Sequence, residues 1–332
     1  MSSLKDVAKL ANVSLMTVSR AINTPQLLRP ETLQHVQGAI KQLNYVPDLS
    51  AKKVRGARAT PNAIGVLALD TVTTPFSVDI ALAIEETARA HGWHSFVINM
   101  FENDNVDNIM NLLLSHRPAG VIFTTMGLRH VQVPKQLLTR SCVLANCESS
   151  GNVQLPSYIP DDQQGQYEGT KALLEAGYRR PLCLHLPEKH VASRRRRSGL
   201  ELACREKNID PDTFTHLYMT SGDEHYRDIP AMVLANMKRG KPLFDAVICG
   251  NDRMAFMVYQ TLLSQRIRIP QDVAVLGYDN MVGIGDLFLP SLSTIQLPHY
   301  EIGCLSALHI INGSSHHDTT MVNSPLLLRS SF

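Results

Sequence analysis

Residues 4–23, LKDVAKLANVSLMTVSRAIN, constrain the fold more tightly than any other stretch, because they spell a helix, a tight turn and a second helix. Val7, Ala8, Leu10, Ala11, Val13 and Val18 fall at spacings that pack one short helix on the other. Ala8 is small where the helices cross. Asn12 occupies the turn, and asparagine tolerates the left-handed conformation better than most residues. Ser14 is placed to cap the second helix by accepting from a backbone N–H near Thr17. Leu15, Met16, Thr17 and Arg20 then point outward from its first turns, the position from which such a helix meets base edges in a major groove. The plainer reading is a helical hairpin with a solvated face, yet turn, cap and outward arginine all agree.

Pro30 opens a third helix, continued by Leu33, Val36, Ile40 and Leu43 at helical spacing, so residues 1–46 make a three-helix head. Next comes PDLSAKKVRGARATP, a basic connector over 47–60 bounded by Pro47 and Pro61. Its middle, LSAKKVR, spans two helical turns, too few to persist alone in water. It should order only against a partner. Charge sharpens the contrast: residues 1–60 hold nine Lys/Arg against three acids, a net +6, which leaves −4 for the remainder of a chain whose total is +2. A basic head on a mildly acidic body points to a polyanion partner for the head alone.

From residue 62 the texture changes to strand–helix alternation. Apolar β-type runs lie at 64–69, 95–100, 121–125, 142–146, 181–186, 246–250, 273–278 and 293–297, with amphipathic segments at 78–90, 162–176, 199–207 and 253–265 between them. Such alternation predicts an α/β core of parallel sheets covered on both faces, and eight strands fit two doubly wound lobes better than one. Ligands of such folds sit outside the carboxyl ends of the strands. Cys142, Cys147, Cys183, Cys204, Cys249 and Cys304 are scattered through apolar runs without CxxC or zinc spacing, so they read as reduced thiols, with no metal site and no cofactor expected. The polar start and the lack of a membrane-spanning apolar run predict a cytoplasmic protein.

DVAKLANVSLMTVSRAIN, LNYVPDLSAKKVR, ICGNDRMAF, VLGYDN and LPSLSTIQLP stand in the order and spacing of the lac/galactose repressor family, which the whole chain resembles. TTPFSVDI, HRPAGVIFTTMGLRHV, LPSYIPDD and IRIPQDVAV resemble more narrowly the branch governing sucrose utilisation. The resemblance implies a helix-turn-helix head (1–46), a hinge (47–60) and a two-lobed, periplasmic-binding-protein-like core (61–332). The N-terminal lobe would take about 61–158 and 292–320, and the C-terminal lobe about 159–291 and 321–332. It puts Leu15, Met16 and Arg20 on base edges. Arg20 would grip guanine, and the apolar pair would meet thymine methyls, although Met16 equally suits packing on a neighbour. Ser14, Thr17, Asn23 and Arg29, with Lys52, Lys53 and Arg55 of the hinge, would hold phosphates, which position without reading sequence. Val54 stands at the minor-groove wedge, where Leu is usual, and fills less of an unstacked step.

For the sugar, the resemblance nominates Asn146, Arg196, Asn251 and Asp279, followed by Asp70, Phe76 and Tyr158. Planar donors and acceptors suit adjacent hydroxyls, and Phe76 would offer an apolar platform. Asp70 and Asp161 read more simply as turn or cap residues. Leu297 and His299 stand where relatives with other sugars place polar and aromatic groups. Of Arg194–Arg197, only Arg196 fits the family position, and the others read as a solvated helix face. The chain runs to LLLRSSF, the expected last strand, with no leucine heptads for tetramerisation. A homodimer is still implied, since one head meets too few bases.

The functional expectation is a sugar-responsive repressor of sucrose utilisation, bound to a pseudo-palindromic operator without inducer and released by sucrose, fructose or a derivative; an activator of the same family is the alternative. An enzyme would need machinery that is missing: GxSxG, a Walker loop and a strand-linked GxGxxG are absent, and HLPEKH lacks metalloprotease spacing. A stand-alone sugar-binding protein would leave the basic head unexplained. No membrane partner is expected.

Overall fold

A computed structural model describes residues 3–43, 45, 62–70, 75–151, 153–220, 223–281 and 284–332, leaving aside the side chains at 23, 75–77, 126 and 223–225. Lys52, Lys53, Val54 and Arg55, with the whole connector 47–60, therefore lie outside the described residues, as do the side chains of Asn23 and Phe76. The chain divides into two units, Met1–Thr60 and Pro61–Phe332.

In the first unit, helix α1 (Leu4–Leu10) begins at a capping box in which Ser3 and Asp6 satisfy each other's backbone N–H. Asn12 takes φ 48° in the turn. Helix α2 (Leu15–Asn23) starts at Ser14, whose hydroxyl accepts from the Thr17 N–H at 3.1 Å. Helix α3 (Pro30–Gln42) has its proline at the first position, where the missing N–H costs nothing. The three bury Val7, Ala8, Ala11, Val18, Ala21, Val36 and Ala39 against one another. Small residues at the crossings let such short helices share a core.

The second unit holds two six-stranded sheets. One is built from β1 (Ala63–Leu69), β2 (His94–Met100), β3 (Gly120–Val131), β4 (Cys142–Ser149), β5 (Ser157–Pro160) and β13 (Thr319–Val322), in the order β13-β5-β4-β3-β1-β2. The other comprises β6 (Pro181–His185), β7 (Thr215–Tyr218), β10 (Ala246–Cys249), β11 (Ala274–Asp279), β12 (Ser293–Gln296) and β14 (Leu326–Leu327), in the order β14-β12-β11-β10-β6-β7. Met237–Lys238 and Lys241–Pro242 (β8, β9) form a separate ribbon. Every pairing within the two sheets is parallel except β12 with β14. Helices α4 (Pro75–Ala90), α5 (Val106–Ser115) and α10 (His299–Ile311) belong to the first lobe. Helices α6 (Asp162–Glu175), α7 (Val191–Glu206), α8 (Ile229–Ala235) and α9 (Asp252–Ser264) belong to the second.

The chain crosses between lobes three times: after β5, after β12 and after β13. This corrects the expected division. Residues 293–296 join the second lobe rather than the first, because β12 pairs in parallel with β11 and buries Ile295 in that lobe's core. Conversely, Ile159–Pro160 and Met321–Val322 stay in the first lobe, paired through β5 and β13. Helix α7 starts eight residues before the expected 199, since its N-terminal apolar face is only Val191 and Ala192 amid arginines. At Gly199, α6 and α7 approach so closely that a Cβ would run into the Gln163 and Tyr167 backbone.

The lobes meet through Leu128 and Ile159 on one side and Leu186, Val191 and Ala192 on the other. An ion pair joins the same seam: Arg195 Nη2 of α7 lies 2.8 Å from Glu148 Oε2 of β4.

Candidate functional site

Helix α2 turns Val18 and Ala21 inward and leaves Leu15 40% and Met16 63% exposed, with Arg20 exposed beside them. Ser14 and Arg29 are exposed as well, and Thr17 is half-buried with its hydroxyl 2.9 Å from Ser14 Oγ. The face offers two apolar side chains and a guanidinium flanked by hydroxyls, a donor set suited to base edges and phosphates.

In the second unit, the polar residues gather where strands end. Asp70 follows β1, Asn146 sits late in β4, Asn251 follows β10 and Asp279 closes β11. Asp70, Asn146 and Asp279 carry positive φ of 52°, 60° and 112°. Held left-handed conformations in non-glycine residues cost roughly 1–3 kcal/mol each and concentrate at binding sites. Asn146 is buried and locked to the β3 bulge: its Nδ2 donates to Thr125 O at 3.1 Å, and Thr125 Oγ1 donates to Asn146 O at 2.9 Å.

Arg196 is the centre of the second-lobe cluster. Its Nε lies 2.8 Å from Asp162 Oδ1, its Nη1 donates to Gly250 O at 2.5 Å and stands 3.7 Å from Asp279 Oδ1, and its plane covers the Tyr278 ring at 3.5 Å. Burial opposes its charge, but Asp162, Tyr278 and Asp279 hold it protonated. Burial pushes Asp279 well above the usual carboxylate range, with Arg196 opposing. Asn251 caps α9 through its Oδ1, which accepts from Met254 N at 2.9 Å, while its Nδ2 donates to Tyr226 Oη at 2.6 Å. Asp252 accepts from Met281 N and Thr294 Oγ1, tying the end of β11 to α9; burial raises it to about 6.

A cavity of about 240 Å³ opens beside Asp279, lined also by Asp79, Asn280, Gln296, Leu297 and His299. Asp79 comes from α4 of the first lobe, so both lobes contribute. Asp279 thus joins the cavity to Arg196. Leu297 and His299, marked in the sequence as departures, are among its walls. Burial, then Arg196, lowers His299 to about 4, so it is neutral there. Asp79 and Gln296 were missed: they lie within TTPFSVDI and LPSLSTIQLP, but nothing in those segments marks them as cavity residues, and only the closeness of α4 to the crossing after β12 brings them in.

Other expected residues are placed elsewhere. Tyr158 Oη lies in hydrogen-bond contact with His309 Nδ1 at 3.0 Å, and its ring packs against the first-lobe core. Asp70 pairs with Arg129 at 3.3 Å. Asp161 caps α6 by accepting from Gln164 N, the simpler of its two readings. The arginine run needs correction too. Arg194 is exposed, but Arg195 makes the inter-lobe pair with Glu148, and Arg197 is largely covered between Glu201 and Asp212.

A reading helix on one unit and a two-lobed α/β fold with a polar cavity on the other define a class of ligand-binding regulators. Residues 3–48 match the model of bacterial regulatory proteins of the lacI family, and residues 61–329 match that of periplasmic binding proteins and the sugar binding domain of the LacI family. The chain belongs to the LacI family. It is 54% identical over 331 residues to the sucrose operon repressor of Escherichia coli, covering 100% of both chains. It is also 29% identical over 350 residues to the ribose operon repressor of Escherichia coli K12, covering 99% of this chain and 98% of that one. In fold it matches the lac repressor dimer bound to operator and the anti-inducer ONPF with a TM-score of 0.79 at 22% identity, covering 99% of this chain and 98% of that one, and a LacI family protein from Rhizobium etli with a TM-score of 0.73 at 27% identity, covering 82% and 99%. No helix among the described residues is long and apolar enough to cross a membrane.

Proposed function

We propose that this protein is a homodimeric repressor of sucrose utilisation that leaves its operator when a sugar, sucrose or fructose or a derivative, binds between the lobes of its core. Leu15, Met16 and Arg20 read base edges, and Ser14, Thr17, Asn23 and Arg29 position the head on phosphates. A two-fold dimer reads inverted half-sites. Lys52, Lys53 and Arg55 hold phosphates at the operator centre while Val54 wedges the minor groove. The sugar meets Arg196, Asp279 and Asn251 from the second lobe and Asn146 from the first. Its occupancy favours a lobe arrangement in which the paired hinges separate, and by linkage the operator weakens the sugar by the same factor.

The observation that carries this reading is α2: it leaves Leu15 and Met16 outward next to Arg20, a face that water rewards poorly and a major groove fits. The test is binding of the full-length protein to its own upstream promoter fragment and to random duplex, by fluorescence anisotropy, with and without sucrose or fructose. Preference for the promoter fragment, relieved by one of the sugars, is the expected result. Equal binding to both duplexes in every condition refutes the proposal. Arg196→Lys keeps a cation beside buried Asp162 but loses the planar fork, so it should retain operator binding and lose sugar release.

A further inference from the structure

We propose that Cys183, His185 and His216 form a zinc site in the second lobe. Cys183 and His185 are two apart on β6 and therefore share a face of the sheet. His216 of the adjacent strand β7 pairs in register with Cys183, which places it on that same face. The three donor atoms lie within 4.8 Å of one another, with His185 Nε2 and His216 Nδ1 2.8 Å apart. Two residues two apart on one strand plus their neighbour on the next make a triangular donor set on a rigid support.

The tautomer of His216 suits a cation. His216 Nε2 stands 2.9 Å from the Pro211 carbonyl, which only accepts, so Nε2 carries the proton and Nδ1 turns its lone pair toward His185. A metal-binding histidine is oriented in this way, by a carbonyl holding its other nitrogen. The His185 ring is fixed by stacking on Tyr218, with centroids 4.7 Å apart. Cys183 is fully buried and His185 nearly so. Mixed imidazole and thiolate donors select zinc over hard cations, and three protein donors leave a fourth coordination position open.

The binding step balances with one proton. The His185 proton moves from Nε2 to Nδ1, the Cys183 thiol releases its proton to solvent, and two Zn–N bonds and one Zn–S bond form. The site then gains a single positive charge. Arg197, whose charge is felt at Cys183, His185 and His216, is already met by Glu201 at 2.7 Å and Asp212 at 3.2 Å. The competing account is a hydrogen-bonded histidine pair with a purely structural role, for which Cys183 is irrelevant.

Full-length protein stripped with chelator is titrated with Zn2+ against a chromophoric competitor, and separately with Co2+ as a spectroscopic substitute. One Zn2+ per chain is expected, with Co2+ giving a thiolate-to-metal charge-transfer band. Cys183→Ser and His216→Ala should each weaken binding at least about tenfold, and Cys183→Ser should abolish the band. The exposed pair His316→Ala with His317→Ala should leave both unchanged. No Zn2+ uptake, a Co2+ complex of the unsubstituted protein without a thiolate band, or Zn2+ affinity in Cys183→Ser and His216→Ala unchanged from that of the unsubstituted protein overturns the proposal.

Discussion

The Arg195–Glu148 pair invites a direct measurement, because it joins the two lobes of the core. Its side chains are 25% and 17% exposed, and the contact is 2.8 Å. Fully exposed pairs contribute up to about 1 kcal/mol, whereas breaking a buried one costs about 3–5, so this pair should hold the lobes together by about 2 kcal/mol. A sugar that touches both lobes needs that arrangement. Removing the pair should therefore weaken sugar binding by up to roughly thirtyfold. The losses should be unequal. Arg195 Nη1 is buried without a hydrogen-bond partner among the described residues, so Glu148→Gln strands more of the guanidinium than Arg195→Gln strands of the carboxylate. Titration calorimetry of both single variants and the double variant, against sucrose and fructose, completes a double-mutant cycle. A double variant no worse than Glu148→Gln is the expected outcome. If the single losses simply add, the two residues do not act together and the reasoning fails.

Three further outcomes follow from the described geometry. Arg20→Ala should cost about 1–3 kcal/mol of specific operator binding and far less of nonspecific binding; equal losses in a filter or anisotropy assay would mean that Arg20 touches only phosphate. Gly199→Ala should destabilise the core by about 1–3 kcal/mol, since the α6 and α7 backbones must separate, and an unchanged urea midpoint would contradict the close approach. Burial and then Arg196 hold His299 at about 4 in the folded core, below its ordinary value of 6.5, so the unfolded chain takes up the proton first. Its contribution is complete above about pH 6.5 and is lost as pH falls toward 4, by about 3 kcal/mol. Urea unfolding of His299→Gln should show a shallower acid decline than the parent, and parallel curves would refute it.

Much of this protein is legible without tertiary structure. The head is written in local chemistry: Ser14 at a cap, Asn12 in a left-handed turn and Pro30 at a first helical position each decide a boundary within a few residues. The long central strands announce themselves as apolar runs because helices cover both faces of a parallel sheet. The strands β7 and β13 escape that pattern. Both lie at sheet edges, where Thr215–Tyr218 and Thr319–Val322 are partly exposed and need no continuous apolar run.

Periodicity states that a face will be buried, not what will bury it. The pattern of STIQ marks a strand, but only its pairing with β11 assigns it to the second lobe. An arginine run states charge, yet Glu148, 47 residues away, makes Arg195 a bridge between lobes while Arg194 stays in water. Cys183, His185 and His216 lack any metal-binding spacing along the chain and meet because two neighbouring strands set their register. Local sequence thus determined the elements and the outward face of α2, while long-range strand pairing decided which charges and donors stand together, since those contacts close loops that no short window contains.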